Sequence, residues 1–347
     1  MGQPGFFDLD RRLEAISAKG DPLETIKASV PWEDFRSEIE AVTETKPEER
    51  KSNAGRKPYD TILKLKVVVL QSLYNLSDEQ TEFMIRDRLS FMRFLDLGLE
   101  DPVPDATTIW LFREALIEAQ LIDKLFDRFG QHLAAKGYIA RGGQIVDATI
   151  VSAPKQRNSK DENDCVKAGT TPEGWEEKPA KNAQKDKDAR WTKKNGKSFY
   201  GYKNHVGVDK AHKLIRKWDA TDAAVHDSRK LDDILDASNT AKDVWADSAY
   251  RSAEIEQRLQ EKGLKSRIHR RAARNRPLSE RQEAANTSRS KVRARVEHVF
   301  GHQHSSMGGK IMRTIGMARA RFKIGMMNLG YNIRRLVQLE PVAAAPA

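Results

Sequence analysis

Cysteine is almost absent from this chain, which has 347 residues and a single thiol, Cys165. One thiol cannot form an internal disulfide, and it cannot build a zinc site of several thiolates. Small secreted proteins that depend on disulfides are therefore excluded. Cys165 lies in a polar stretch far from any obvious base, so we interpret it as an incidental surface thiol.

Long apolar runs are missing as well. The run Val67–Leu70 is far shorter than the roughly 20 residues that a membrane-spanning helix needs. Residues 1–8 have neither the basic nor the apolar region of a secretion signal. We therefore expect a protein of the cytoplasm with no membrane partner.

Acidic residues are fewer than basic ones. Asp and Glu number 50 against 61 Lys and Arg, which gives a net charge of +11. A basic excess of this size favours a polyanionic partner, either nucleic acid or an anionic membrane surface. Apolar residues make up 39% of the chain, and its length suits about two domains, so it can bury a core large enough for an enzyme.

Hydrophobic periodicity divides the chain near residue 140. Before that point apolar residues recur at helical spacing and predict an all-α region. After Gly142 and Gly143 the pattern changes to that of strands. The predicted helices lie within residues 6–41, 59–74, 77–89 and 106–119. A charged linker or basic arm is predicted at 43–58, with its basic stretch at 55–58.

The β-rich part begins with a buried strand over residues 144–152. A polar, lysine-rich insertion follows at 155–197 and predicts a long loop or a partly disordered segment. The later predictions are strands at 199–208 and 214–220 around the turn Asp209-Lys210, a helix from Asp227 or Ser228 to Leu235, a strand at 244–247, a helix at 253–262, a strand at 264–268 and a basic helix at 288–302.

This order of elements is typical of the ribonuclease H-like fold, in which three antiparallel strands precede alternating helices and strands. The predicted fold class is α/β, with a mixed-sheet catalytic core preceded by an all-α N-terminal region. The expected domains are 1–58 with N-terminal helices and the linker, 59–140 for DNA binding or assembly, 141–340 for catalysis, and a disordered tail at 341–347.

Two carboxylates stand in apolar strands of this predicted core. Asp147 has apolar or small neighbours on both sides, and Asp247 repeats this situation on a later strand. The inferred topology pairs these two strands, and like charges that close need a cation. Glu297 lies on the helix after the sheet, four residues after Arg293. Three such oxygen donors suit Mg²⁺, although a lone strand Asp is often a cap residue and Arg293–Glu297 alone would be a surface ion pair.

The segments around these carboxylates, Ile145–Thr149, Trp245–Tyr250 and Arg293–Phe300, closely resemble the three acidic motifs of DDE transposases of bacterial insertion sequences. The resemblance is to the insertion-sequence-five family and spans roughly residues 59–336. Supporting stretches are 72–79, 104–109, 201–209 and His226-Asp227. It implies a ribonuclease H-like core in which Asp147, Asp247 and Glu297 are the catalytic and metal-binding triad, with Mg²⁺ as cofactor and Mn²⁺ able to substitute.

The resemblance also implies an activity and its partners. A DNA transposase of this family binds the terminal inverted repeats of its element, cleaves DNA at the element ends and joins the 3′ ends to target DNA by two-metal phosphoryl transfer. The expected partners are double-stranded DNA and further copies of the chain, as a homodimer or higher assembly on the nucleoid. Residues 59–119 could form a helix-turn-helix-like reader of the repeats.

One position departs from the family pattern, which often has a lysine seven residues after the catalytic glutamate. Here that residue is His304, and the nearest lysine downstream is Lys310. We expect one of these two side chains to take the place of the family lysine as a DNA contact.

A basic segment has its own signature for DNA. Residues 265–295 contain eleven Lys and Arg against only two acidic residues, which predicts a surface that follows phosphates. Lys203 and His205 alternate onto one strand face, where a DNA contact and a structural role are equally compatible with the pattern. The predicted DNA contacts are Lys203, His205, Arg270, Arg271, Arg274, Arg293, His304 and Lys310.

Two alternative functions remain open from the sequence. One is a metal nuclease of the same fold that cuts DNA without strand transfer. The other is a catalytically silent DNA-binding protein derived from a transposase, although the presence of all three carboxylates argues against it.

Overall fold

The structure is a computed structural model, and it describes the chain except for residues 1–4, 6, 44–56, 195, 273–275 and 341–347. The tail predicted at 341–347 and residues 44–56 of the predicted linker lie outside the described residues. The chain divides into two compact units, one of residues 1–136 with 329–347 and one of residues 137–328.

The first unit is helical, as the periodicity predicts. Two of its helices show how side chains start them: Asp60 accepts hydrogen bonds from the amides of Ile62 and Leu63, and Ser77 forms a reciprocal capping box with Gln80. The predicted helices at 59–74, 77–89 and 106–119 are confirmed. The helices are α1 (Asp8–Ala18), α2 (Pro22–Ser29), α3 (Arg36–Thr43), α4 (Thr61–Tyr74), α5 (Asp78–Asp87), α6 (Leu89–Phe94), α7 (Ala106–Glu118) and α8 (Ile122–Ala135).

The second unit contains a six-stranded mixed sheet. Its strands are β1 (Gln144–Ser152), β2 (Arg190–Lys194), β3 (Lys197–Asp209), β4 (Ile215–Asp222), β5 (Asp243–Trp245) and β6 (Lys265–Ser266). Strand β3 runs antiparallel to β1, β2 and β4, whereas β5 runs parallel to β1 and β6 runs parallel to β5. The resulting path β4-β3-β1-β5-β6 is that of a ribonuclease H-like core, and the predicted pairing of β5 with β1 is confirmed.

Glycine allows the close approach at the start of β1. Gly143 has a φ of 90°, and a Cβ there would lie 2.5 Å from the ring of Trp245. No other residue fits this contact without a shift of backbone or ring. Trp245 is buried against Gly143, which supports its interpretation as a core residue.

The insertion is folded, so the expectation of a long loop or disordered segment at 155–197 is wrong. It contains α9 (Lys160–Lys167), α10 (Pro179–Ala183) and β2. Trp175 is 1% exposed, and the buried Asp186 accepts hydrogen bonds from the Tyr202 hydroxyl at 2.8 Å. A polar composition conceals these few buried contacts, because the segment packs on the sheet through isolated residues and not through a periodic face.

Two other predicted elements are corrected. The helix expected from Asp227 to Leu235 is instead two short 3₁₀ turns, Asp227–Lys230 and Asp232–Ile234. The basic helix begins earlier than residue 288, because Ser279 and Gln282 form a capping box at its start. The remaining helices are α11 (Ala253–Glu261), α12 (Glu280–Ser306) and α13 (Met317–Leu339). Within the described chain, no helix is long and apolar enough to cross a membrane.

Candidate active site

Asp147 lies in the middle of β1 with its carboxylate almost enclosed. Its Oδ1 atom accepts a hydrogen bond from the amide of Ala148 at 2.8 Å, and its Oδ2 atom accepts one from Nη2 of Arg293 at 3.0 Å. Burial raises the pKa of Asp147, and the Arg293 guanidinium opposes that rise. Burial therefore disfavours the charged form of Asp147, and the ion pair with Arg293 favours it.

The register of β1 and β5 places Asp247 beside Asp147. Ile145 of β1 is opposite Trp245 of the parallel strand β5, and each aspartate follows two residues later. The negative charge of Asp247 accordingly raises the pKa of Asp147 further. The sequence predicts Asp247 within a strand, but the residue follows the end of β5. Its side chain caps a 3₁₀ turn, Ser248–Tyr250, by accepting a hydrogen bond from the Ala249 amide at 2.8 Å.

Glu297 is on α12, as predicted, but its side chain is exposed. Arg293, one turn earlier on the helix, forms its ion pair with Asp147. The guanidinium is therefore directed to Asp147, and the alternative of an Arg293–Glu297 surface pair is not favoured. Among the described residues, no group of three or more His, Cys, Asp or Glu side chains is arranged to hold a metal ion. The structure brings the two aspartates together and does not bring Glu297 to them.

The two aspartates still suit a hard divalent cation. Both present carboxylate oxygens, which Mg²⁺ prefers, and their mutual repulsion is relieved by a positive charge. In this structure the guanidinium of Arg293 supplies such a charge to Asp147, while its own buried Nε atom has no partner among the described residues. The pair therefore fits a cation, with Arg293 as the group that now balances Asp147.

Tyr250 and Asp227 belong to the same surroundings, and the sequence reasoning did not select them as site residues. The Tyr250 ring is buried, and its hydroxyl has no hydrogen-bond partner among the described residues. Burial raises the pKa of Tyr250, and the charges of Asp147, Asp227 and Asp247 raise it further. Both residues stand inside the motif stretches, but only the fold shows that Tyr250 lies near all three carboxylates.

Lys203 and His205 point into the protein, which favours the structural alternative for both. Lys203 donates to the Val225 carbonyl at 2.7 Å and forms an ion pair with Asp227 at 2.8 Å. The His205 ring is fully buried and lies 2.9 Å from the Thr221 hydroxyl. Burial lowers the pKa of His205 to about 4, so the ring is neutral at pH 7 and offers no charge to DNA.

His304 and Lys310 can be distinguished in the same way. Nε2 of His304 lies 3.4 Å from the hydroxyl of Thr149, two residues after Asp147 on β1. Burial and the charge of Lys310 both lower the pKa of His304, so this ring is neutral at pH 7. Lys310 is exposed, and it is the cation at this position.

The basic segment between β6 and α12 is anchored by the buried Ile268 and carries exposed arginines. Arg270 and Arg271 are both open to solvent, and the backbone of Arg270 exchanges two hydrogen bonds with the Asn286 amide of α12, at 3.0 and 2.9 Å. The predicted contact Arg274 lies outside the described residues. The anchored backbone leaves the Arg270 and Arg271 side chains available for phosphates.

Comparison with known proteins identifies the family. A family model described as a transposase DDE domain matches residues 140–333, which include both aspartates and Glu297. The chain belongs to this family. A second model, described as a transposase domain (DUF772), matches residues 11–115. This transposase is of the insertion-sequence type and has a ribonuclease H-like core.

One solved structure similar to the transposase is a cryo-EM structure of the piggyBac transposase synaptic complex with hairpin DNA. The two chains are 13% identical, with a TM-score of 0.44, and the match covers 91% of this chain and 74% of that one.

Proposed function

We propose that this transposase belongs to the insertion-sequence-five type, binds the terminal inverted repeats of its element, cleaves DNA at the element ends and joins the 3′ ends to target DNA. The observation that supports this function is the parallel pairing of β1 and β5, which places Asp147 and Asp247 side by side inside the matched DDE domain. Asp147, Asp247 and Glu297 are the catalytic residues of the proposal.

The proposed cofactor is Mg²⁺, with Mn²⁺ able to substitute, held by these three carboxylates. When bound, such ions supply the positive charge that activates an attacking water or 3′-hydroxyl and stabilises the leaving oxygen. Arg293 opposes the rise in the pKa of Asp147 and so favours the charged carboxylate that a cation binds. The proposal assigns the third carboxylate to Glu297 of α12, the helix that also carries Arg293.

Double-stranded DNA is the proposed partner, bound as a homodimer or larger assembly at the nucleoid in the cytoplasm. Lys310, Arg270 and Arg271 are the exposed cations among the proposed phosphate contacts. Arg274 and Arg293 remain proposed contacts, and the helical region at 59–140 is proposed to read the terminal repeats. Residues 1–58, 59–140 and 141–340 are the proposed domains.

A strand-joining assay tests this function against the two alternatives. The protein is incubated with Mg²⁺, a labelled element end and a supercoiled plasmid, with Asp247→Asn as the matched inactive control. We expect labelled DNA joined to the plasmid with the wild-type protein only. Cleaved ends without joined product would indicate a nuclease, and end binding without cleavage would indicate a catalytically silent DNA-binding protein.

A further inference from the structure

Three amide side chains meet in the core of the second unit. They are Asn204 of β3, Gln303 of α12 and Asn328 of α13, and each is fully buried. The segments that carry them are far apart in the sequence, so only the fold brings them together. They are not among the proposed catalytic residues or DNA contacts, and the function described so far gives them no role.

Their hydrogen bonds form a closed set, which we call the amide network. Oδ1 of Asn328 accepts from Nδ2 of Asn204 at 2.9 Å and from Nε2 of Gln303 at 2.8 Å. Nδ2 of Asn328 donates to Oδ1 of Asn204 at 3.1 Å, and Nδ2 of Asn204 also donates to Oε1 of Gln303 at 3.4 Å. Every side-chain nitrogen and oxygen of the three amides therefore has a partner, and β3, α12 and α13 are joined at one point.

The energetics of the amide network favour a positioning role over a stabilising one. Burial removes water from each amide, and the hydrogen bonds made in return recover little more than that loss. Apolar side chains of the same shape would therefore give a core of similar stability. Such a core would lack direction, because a hydrophobic contact tolerates a small shift, whereas the amide network is complete in one arrangement only. The network accordingly fixes where α12 lies on the sheet.

The amide network lies close to the first aspartate of the candidate active site. Asn204 is directly opposite Thr149 in the pairing of β3 with β1, and Thr149 follows Asp147 by two residues. His304, which is next to Gln303, places its Nε2 atom 3.4 Å from the Thr149 hydroxyl. The end of α12 is therefore held at the part of β1 that carries Asp147.

Glu297 lies between two points at which α12 is held. Arg293 pairs with Asp147 one turn before it. Gln303 follows it in the same helix, about 9 Å further along the axis at 1.5 Å per residue. A helix held on both sides of a residue neither slides nor turns there. The backbone of Glu297 is therefore fixed, and only the torsions of its exposed side chain remain free.

We propose that the amide network positions α12 on the sheet so that Glu297 serves the cation bound by the two aspartates. Asn204, Gln303 and Asn328 are positioning residues, because their hydrogen bonds are to one another and their effect passes through α12. This inference rests on the proposed function for the role of Glu297, but it concerns metal binding and needs no cleavage.

The test measures Mn²⁺ binding to the full chain by titration calorimetry and stability by urea unfolding. Gln303→Met frees α12 from the network and leaves the reciprocal bonds of Asn204 and Asn328 intact. Mn²⁺ affinity should fall by about tenfold, the lower end of the loss for a group that orients a metal ligand, whereas the urea midpoint should change little. The triple variant Asn204→Leu, Gln303→Met, Asn328→Leu should lower the affinity at least as much.

Two controls separate positioning from stability. Tyr202→Phe removes a buried hydrogen bond from the same strand as Asn204, so it should lower the urea midpoint and leave the Mn²⁺ affinity of the folded protein unchanged. Glu297→Gln should weaken Mn²⁺ binding by itself. Adding Gln303→Met to it should then cause no further loss, because the network acts through Glu297.

Two results would overturn the proposal alone. One is wild-type Mn²⁺ affinity in both network variants while Glu297→Gln still binds weakly, because the amides would then be structural only. The other is an equal loss from Gln303→Met with and without Glu297→Gln, because the network would then act by another route. Wild-type affinity of Glu297→Gln would overturn the proposal together with the role of Glu297 as a ligand, and the plasmid assay would then show whether the transposase function itself stands.

Discussion

At the scale of single residues, Asp147 is a carboxylate held inside the core. It is a buried carboxylate beside a second carboxylate, and Arg293 is its ionic partner. Asp147→Asn, Asp247→Asn and Glu297→Gln should each reduce Mg²⁺-dependent cleavage of a labelled end by more than the 10–100-fold that loss of an outer-shell partner costs, because each removes a ligand charge. Circular dichroism should show near-normal folding for all three variants.

Glu297 is the critical member of this set, because it is exposed and does not join the two aspartates in this structure. The matched control is Glu283→Gln, which removes an exposed carboxylate from the same helix and should leave cleavage unchanged. Cleavage by Glu297→Gln at the wild-type rate would remove this residue from the site and leave the aspartate pair as the only supported ligands.

Two buried tyrosines differ in whether the hydroxyl has a partner. Tyr250→Phe removes a hydroxyl without a partner among the described residues, so the free energy of unfolding should stay unchanged or rise by up to about 1 kcal/mol. Tyr202→Phe removes a donor to the carboxylate of Asp186 and should lower the free energy of unfolding by about 1–3 kcal/mol. Urea unfolding without metal measures both. A clear loss of stability in Tyr250→Phe would show that its hydroxyl has a partner.

At the scale of elements, α12 connects the proposed chemistry to DNA. It packs against β1 and β5, buries Val296 and Val299, and carries Arg293, Glu297 and His304. Two sets of hydrogen bonds anchor α12. Asn286 bonds to Arg270 in the segment before the helix, and Arg295 donates to the Lys210 carbonyl in the β3–β4 turn at 2.6 Å. A helix anchored at several points fixes the positions of the side chains on it.

The end of α12 gives a prediction about pH. Burial and the charge of Lys310 hold the pKa of His304 below its usual value of 6.5, so protonation of this ring between pH 6 and 8 is disfavoured. Binding of an element end should therefore change little between pH 6 and 8, and His304→Lys should not alter that dependence. Lys310→Ala should weaken binding and reduce its salt slope by about 0.9. A fall in wild-type affinity from pH 6 to 8 that His304→Lys abolishes would restore His304 as the contact.

The basic segment before α12 gives a prediction about salt. Replacing Arg270 and Arg271 by Ala should weaken DNA binding for all sequences and reduce the slope of log affinity against log salt by about 1.8, because each lost phosphate contact accounts for about 0.9. The matched control replaces two other cations, Arg258→Ala with Lys262→Ala. Both side chains already form ion pairs with Asp232, so their loss should not change the slope. An unchanged slope in the Arg270/Arg271 variant would show that this segment does not contact phosphates.

At the scale of the whole molecule, transposition needs two element ends in one complex. A two-fold symmetric dimer is the smallest assembly that holds two ends equivalently. Light scattering of the end-bound protein should therefore give at least two protomers for each joined complex, and Asp247→Asn, which still binds ends, should give the same mass. Strand joining by a complex of one protomer would contradict this prediction.

The sequence by itself determined the class of the protein and the order of its core elements. The alternation of apolar residues, the change from helical to strand period after residue 140 and the two aspartates in apolar surroundings depend on local pattern, and local pattern is visible in one chain. The pairing of β5 with β1 followed from topology rules and is confirmed. The predicted boundaries failed where capping was overlooked, as at Ser279.

Only the tertiary structure decided which charged residues face inward. Lys203, His205 and His304 have the composition of DNA contacts, but burial and neighbours that are distant in sequence make the first an internal ion pair and the other two neutral rings. The folded insertion likewise depends on the pairing of β2 with β3. Burial and long-range pairing set the charge and orientation of a side chain, and neither is a property of its sequence neighbours.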